Sequence, residues 1–138
     1  MPFFSTSIRV AYADTDQMGI VYHSNYLRYF EISRTEMLRS QGLAYRDLEA
    51  EGVFLQVVHC EVDFHHPAHY DDLLEIRSNI TQLGKASLVI SSEVWQDGNL
   101  LVTGKVKLAA VSQQNGHITP LTPRLLEAVQ PFYTSPSA

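Results

Sequence analysis

The sequence predicts an α+β protein in which one long helix follows a first strand and precedes four antiparallel strands. Between Tyr26 and Met37, apolar residues recur at spacings of three and four, the period of an amphipathic helix. From Val58 to Leu108, apolar and polar residues instead alternate, which is the period of half-buried strands. Asp97-Gly98 lies between two of these strands and is a favoured hairpin turn, so it predicts antiparallel neighbours.

The first strand is expected at residues 7–12, where apolar side chains alternate with Arg9. Gly19 then interrupts the pattern, and the long helix follows, with a C-terminal stop at Gln41-Gly42. Apolar residues also lie off the main stripe of this helix, namely Leu27, Ile32 and Leu38. We therefore expect other parts of the structure to cover the helix deeply.

Residues 45–52 are rich in Asp and Glu and predict a short, exposed helical turn or loop. In the strand that follows, Cys60 alternates with apolar residues and is expected to be buried as a small hydrophobe. Near the end, Thr122-Pro123 has the pattern of an N-cap followed by proline at the first helical position, and predicts a short helix to Val129. The tail from 131 to 138 is expected to be frayed.

Length and composition indicate one globular domain spanning residues 1–138, because hydrophobic residues make up 45% and charged residues 18%. A net charge of −5 argues against a nucleic-acid partner. The single cysteine excludes an intrachain disulfide. There is no signal-peptide pattern and no apolar run approaching the roughly 20 residues that cross a bilayer, so we expect a cytoplasmic protein.

Two carboxylates, a glycine and a histidine come directly before the long helix: Asp14, Asp16, Gly19 and His23. The first backbone N–H groups of a helix have no intrahelical partner and can bind an electron-rich group. A carboxylate beside such a helix end places a base or nucleophile next to an oxyanion site, the arrangement that hydrolysis needs. Residue type alone favours a turn former or a cap for Asp16, since Asp is common in such places. Gly19 permits a positive φ.

The run YADTDQMGIVYHSNYLRYFEISR, residues 12–34, resembles the signature of the 4-hydroxybenzoyl-CoA thioesterase family. Pro67-Ala68 and residues 70–76 extend the match, and the resemblance continues to about Val111. Because His23 follows Val-Tyr, the chain is most similar to the bacterial acyl-CoA thioesterases associated with the Tol–Pal cell-envelope operon. The resemblance implies the hotdog fold, a curved antiparallel sheet wrapped around one long central helix. It also implies hydrolysis of an acyl-CoA to a free acid and coenzyme A. Coenzyme A is thus part of the substrate, and no cofactor is expected.

Catalytic roles at three positions follow from the same resemblance. The catalytic aspartate falls on Asp16, as a nucleophile or as a base that activates water. At His23 a backbone N–H is expected to polarise the thioester carbonyl, with the ring assisting. The side chain of His23 could instead cap or pack, and Tyr12 could line the pocket or be a core strand aromatic. For Asp14 we expect a structural hydrogen-bonding role in the turn.

Substrate-binding positions are implied at five residues, Gly19, Val21, Tyr22, Lys85 and Ser87. The first three flank the catalytic turn, and the last two occupy the turn near which the nucleotide of coenzyme A lies in this fold. Lys85 could equally be a solvated surface lysine. No metal site is expected, because Pro67 interrupts the only histidine cluster, at positions 65, 66 and 69.

Open sheet edges and a one-sided core predict a homo-oligomer, either a dimer or a dimer of dimers. The resemblance also implies contacts with envelope or lipid-synthesis proteins. A non-catalytic acyl-CoA-binding or scaffolding module is the alternative function, and Asp16 argues against it because such a module needs no carboxylate. Neither the acyl group nor the choice between a covalent and a water-activated mechanism follows from the sequence.

Overall fold

The computed structural model describes residues 2–134 and confirms an α+β architecture. In chain order the elements are β1 (Phe4–Arg9), α1 (Asn25–Ser40), α2 (Tyr45–Ala50), β2 (Val53–Phe64), β3 (Leu73–Leu83), β4 (Ser87–Gln96), β5 (Asn99–Ser112) and α3 (Pro123–Val129). Short 3-10 turns are present at Tyr12–Asp14 and Gln130–Phe132.

The five strands form one antiparallel sheet in the order β1-β3-β4-β5-β2. β3, β4 and β5 are successive hairpin partners. The turn between β4 and β5 has φ values of 48° at Asp97 and 81° at Gly98, the left-handed pair that an Asp-Gly hairpin favours. β2 crosses to the far side and pairs with β5, so β1 and β2 are the two edge strands of the described sheet.

Three helices accompany the sheet, and the longest is α1, with 16 residues. The stripe predicted from the sequence is buried, and its buried members are Tyr26, Tyr29, Phe30, Ser33, Met37 and Leu38. The expectation of one long central helix is not confirmed in that form, because α2 packs against β2 and α3 packs against α1. No helix within residues 2–134 has the length and apolar character needed to cross a membrane.

Two expectations about strand residues are wrong. β1 ends at Arg9, opposite the first residue of β3, so the chain has no partner strand beyond that point and turns away. Tyr12 consequently lies in a 3-10 turn and its side chain is 77% exposed. Cys60 is exposed and not buried, because β2 is an edge strand that is exposed on both faces over residues 56–61.

The C-terminal signals are confirmed where the structure describes them. α3 starts at Pro123, and the Thr122 side chain accepts a hydrogen bond of 3.2 Å from the Leu125 N–H. Within the segment expected to be frayed, the N–H of Thr134 donates to the carbonyl of Ile80 in β3, at 2.9 Å. Residues 135–138 lie outside the described residues.

A chain of three buried hydroxyl groups joins α1 to the middle of the sheet. Ser33 in α1 lies 2.9 Å from Ser78 in β3, and Ser78 lies 2.8 Å from Ser92 in β4, oxygen to oxygen. Each of these hydroxyl groups therefore has a hydrogen-bond partner inside the core, which offsets the cost of burying it.

α1 approaches β5 closely because Gly104 has no side chain. The ring of Phe30 occupies the space where a Cβ on Gly104 would be, and such a Cβ would overlap two ring carbons. Phe30 itself is 2% exposed. This contact therefore sets how near the helix lies to the sheet.

Replacing Gly104 with alanine should destabilise the protein, because the methyl group forces the buried Phe30 ring out of its position. We expect the free energy of unfolding to fall by about 1–3 kcal/mol, as is usual for an overpacked core. Urea denaturation followed by circular dichroism measures the change, with Lys107→Ala on the exposed face of β5 as the matched control. Equal midpoints for G104A and K107A would contradict this account.

Candidate active site

Asp16 lies on a tight loop that returns on itself before α1. The Asp16 N–H donates to the carbonyl of Ile20 at 2.9 Å, and the Gly19 N–H donates to the carbonyl of Asp16 at 3.0 Å. Gly19 has a φ of +79°, a conformation that L side chains rarely adopt. Thr15 and Val21 pair as an antiparallel bridge across the base of the loop. The backbone thus fixes where Asp16 stands.

The carboxylate of Asp16 is oriented by its own loop. Its Oδ1 atom accepts a hydrogen bond of 2.8 Å from the backbone N–H of Met18, the arrangement of an Asx turn. The side chain is half-buried. One carboxylate oxygen is therefore held by the backbone, and the other remains available as an acceptor.

Asp14 has a different environment, because it joins the loop to α1. Its carboxylate accepts a hydrogen bond of 2.9 Å from the Tyr29 hydroxyl and lies 2.5 Å from Nη2 of Arg28. Its carbonyl accepts from the Tyr22 N–H and from Nδ2 of Asn25, both at 2.9 Å. This is the structural hydrogen-bonding role expected from the sequence.

The hydrogen bond between Tyr29 and Asp14 also affects the pKa of Tyr29. Burial raises the pKa of Tyr29, and the hydrogen bond to Asp14 raises it further, because ionised Tyr29 would be a second negative charge beside the carboxylate. Tyr29 therefore remains a neutral donor throughout the neutral pH range. Its hydroxyl therefore connects the second turn of α1 to the loop at all pH values in this range.

The N-terminus of α1 offers free backbone donors. The N–H groups of Asn25 and Tyr26 bond to the carbonyls of Tyr22 and His23, at 2.9 and 3.4 Å. Among the contacts within residues 2–134, the N–H groups of His23 and Ser24 donate to no protein acceptor. The imidazole of His23 is exposed, and its ring centroid is 4.3 Å from that of Tyr22.

A cleft of about 400 Å³ brings the loop and the helix end together. It is lined by Asp16, Ile20, Val21, His23, Tyr26, Phe64, His65, His66 and Pro67. The buried Tyr26 packs edge-on against Phe64, with ring centroids 5.7 Å apart. The opposite wall is anchored to the loop by the Val21 N–H, which donates to the carbonyl of Ala68 at 2.9 Å.

Three of the residues singled out in the sequence meet in this cleft: Asp16, Val21 and His23. Gly19 and Tyr22 flank it without lining it, and the exposed Tyr12 packs edge-on against Tyr70, 5.5 Å between ring centroids. Lys85 and Ser87 come after the C-terminal end of β3, whereas the N-terminal end of β3 lies near the loop that borders the cleft. The 11 residues of β3 are roughly 30 Å long. Within one chain Lys85 and Ser87 lie far from Asp16.

The wall formed by Phe64, His65 and His66 was not anticipated. Sequence reasoning considered the histidines only as metal ligands, and among the described residues no group of three His, Cys, Asp or Glu side chains is arranged to hold a metal ion. The pairing of Ile20 with His69 brings this wall to the loop. The two residues are 49 positions apart, from 20 to 69, so no local sequence signal reports the contact.

Removing the Tyr29 hydroxyl should loosen the connection between the loop and α1. We expect Tyr29→Phe to lower the free energy of unfolding by about 1–2 kcal/mol, because a buried carboxylate loses a donor. Tyr12→Phe is the matched control, since the Tyr12 side chain is largely exposed, and it should change stability by less than about 0.5 kcal/mol. Chemical denaturation of the two variants in parallel tests this, and similar effects would contradict it.

Comparison with known proteins shows which family this chain resembles. The Thioesterase-like superfamily matches residues 10–129. A putative esterase of Aquifex aeolicus is 32% identical over 130 residues, covering 94% of this chain and 99% of the relative. The acyl-CoA thioester hydrolase YbgC of Escherichia coli O6:H1 is 39% identical over 99 residues, covering 72% and 74%.

Among solved structures, a 1,4-dihydroxy-2-naphthoyl-CoA thioesterase from Synechocystis is similar, with a TM-score of 0.87 and 26% identity. The similarity covers 93% of this chain and 96% of that protein. The match to the superfamily extends over nearly the whole described chain, including the loop, the start of α1 and the opposite wall of the cleft. The chain belongs to the thioesterase-like superfamily of thioester hydrolases.

Proposed function

We propose that this protein is an acyl-CoA thioesterase that hydrolyses an acyl-CoA to a free acid and coenzyme A. The observation that carries the proposal is the cleft in which Asp16 faces the N-terminal end of α1 at His23. The names of the similar proteins support it, since YbgC is an acyl-CoA thioester hydrolase and the Synechocystis protein acts on an aromatic acyl-CoA. No cofactor takes part in the proposed reaction.

In the proposed mechanism, the thioester carbonyl binds at the start of α1. The N–H groups of His23 and Ser24 donate to its oxygen, and these bonds strengthen as negative charge develops there. The positive end of the helix dipole adds to this stabilisation. Because the donors belong to the backbone, the position of α1 relative to the loop is itself part of the catalytic arrangement.

Asp16 supplies the second half of the mechanism by one of two routes. As a base it takes a proton from water, the oxygen attacks the acyl carbon, and the C–S bond breaks as the thiolate leaves and takes up that proton. As a nucleophile it forms an acyl anhydride with loss of the thiolate, and water then hydrolyses the anhydride. In either route the Met18 N–H holds Oδ1, and the ring of His23 positions the water or the substrate.

The proposed assembly is a homodimer formed along β2, with the hotdog sheet curving around α1. β2 is the longer edge, with 12 residues against 6 in β1, and it exposes apolar side chains at Val57, Val58 and Phe64. β1 exposes Ser5, Ser7 and Arg9 instead. For Lys85 and Ser87 to reach coenzyme A in the cleft, they would have to come from another chain of the oligomer.

Asp16→Asn should abolish most of the hydrolysis while leaving the fold intact, because the amide cannot act as a base or form an anhydride. We expect turnover to fall roughly 100- to 10,000-fold. A thiol-release assay over aliphatic and aromatic acyl-CoA thioesters measures it. The control is Asp97→Asn, in an exposed hairpin turn whose positive φ asparagine also tolerates.

Near wild-type hydrolysis by D16N would refute the assigned role of this carboxylate. If the wild-type protein binds acyl-CoA tightly but releases no thiol from any substrate, the protein is a binding module instead. Circular dichroism of both variants shows whether a loss of activity reflects chemistry or unfolding.

The dimer predicts a difference between the two sheet edges. Val58 is the extra residue of a bulge between Val57 and His59, so its exposed side chain has no cross-strand neighbour in β5. Val58→Lys would place a charge in the β2 interface and should raise the dissociation constant of the dimer at least about tenfold. Ser7→Lys on β1 should leave that constant unchanged. Sedimentation velocity over a range of concentrations tests this. A monomeric wild type, or dissociation by S7K instead, would contradict the proposed interface.

A further inference from the structure

A second cavity, of about 320 Å³, lies under the C-terminal half of α1. Its walls come from α1, α2, α3 and the sheet, and most of its lining is apolar, including Met37, Leu55, Leu88, Leu108 and Leu125. A mostly apolar space of this size needs no charged group for its stability. The presence of one inside it therefore calls for a physical explanation.

The cavity is separate from the Asp16 cleft within one chain. The two spaces share no lining residue among those described, and Phe30 lies between them on α1 with its ring against Gly104. On β2 the cleft borders Phe64, whereas the cavity borders Leu55 and Val57. The two spaces are therefore distinct, with the buried Phe30 contact between their lining residues along α1.

Two charged residues line the cavity, the exposed Glu31 and, more deeply buried, Arg34. The side chain of Arg34 is 18% exposed, and burial lowers the pKa of the guanidinium because the charged form loses hydration. Its ion pair with Glu31 is long, at 3.9 Å, and Glu31 is 68% exposed. Within residues 2–134 the guanidinium makes this long ion pair but no hydrogen bond of 3.5 Å or less to another protein group. Its five N–H donors thus have capacity for an anion.

A second polar group lies in the same wall. The hydroxyl of Tyr45 accepts a hydrogen bond of 2.9 Å from the Leu55 N–H. The same hydroxyl donates to the carbonyl of Leu55, but the two oxygens are 3.5 Å apart and this bond is weak. Arg34 and Tyr45 together give a mostly apolar space two donor side chains, the pattern of a ligand pocket.

We propose that this cavity binds a small carboxylic acid, with the carboxylate on Arg34 and the apolar body among the leucines. A guanidinium pairs with a carboxylate through two parallel hydrogen bonds, which a neutral ligand cannot reproduce. The volume is near the lower end of the roughly 300–1,000 Å³ typical of ligand pockets, which favours a short chain or a single ring. Thioester hydrolysis releases acids of this class, a link that rests on the proposed function.

Calorimetric titration with sodium hexanoate and 1-hexanol tests the proposal, because the two probes have the same chain length but differ in charge. Wild-type protein should bind hexanoate at least tenfold more tightly than hexanol. Arg34→Met should remove that preference, whereas Arg39→Met should keep it, since Arg39 is an exposed residue of the same helix. If R34M does not fold, Arg34→Lys should still bind hexanoate, but several-fold more weakly than wild type.

Titrating D16N distinguishes this site from the catalytic cleft. Unchanged hexanoate binding in D16N together with loss in R34M supports the cavity. Loss in D16N with retention in R34M would place the acid in the cleft and overturn the proposal, as would equal affinity for hexanoate and hexanol. Arg34-dependent binding by a protein that hydrolyses no thioester would refute the proposed function and leave the cavity site standing.

Discussion

The structure depends most on the buried carboxylate of Asp14. Its bonds to Tyr29 and Arg28 reach the second turn of α1, and its carbonyl holds the residues that lead into the helix. A paired, hydrogen-bonded carboxylate is costly to disrupt, because removing one partner leaves the charge buried without compensation. The distance between the Asp16 loop and the start of α1 is therefore fixed by a carboxylate that takes no part in the proposed reaction.

Two aspartates only two positions apart thus have different surroundings, and the roles that we assign to them differ accordingly. Asp14 is 9% exposed, and its oxygens are engaged by other side chains. Asp16 is half-buried at a cleft, and a single backbone N–H orients it. The chemistry proposed at Asp16 requires a carboxylate with an uncommitted oxygen, and the contacts of Asp14 join the loop to α1.

α1 has a different task along each half of its length. The free N–H groups of His23 and Ser24 come directly before its first turn, at the end that borders the cleft, and its second half covers the cavity that Arg34 lines. Phe30, packed into the space left by Gly104, separates the two and keeps the helix close to β5. A larger or smaller side chain at this contact would therefore alter the shape of both the cleft and the cavity, since a close-packed core transmits strain.

The sequence by itself determined the features that depend on neighbours a few positions away. The buried stripe of α1, the Asp97-Gly98 turn and the Thr122 cap are set by local spacing and local hydrogen bonds, so they were predictable. The motif around Asp16 likewise indicated the loop on which we place the proposed catalytic carboxylate. Only the tertiary structure decided which strands are the edges of the sheet and that Cys60, on one of them, is exposed. It also decided that β1 stops before Tyr12 and that Lys85 lies far from the cleft. Those outcomes depend on pairings such as β2 with β5 and Ile20 with His69, which join residues dozens of positions apart and leave no periodic trace in the chain.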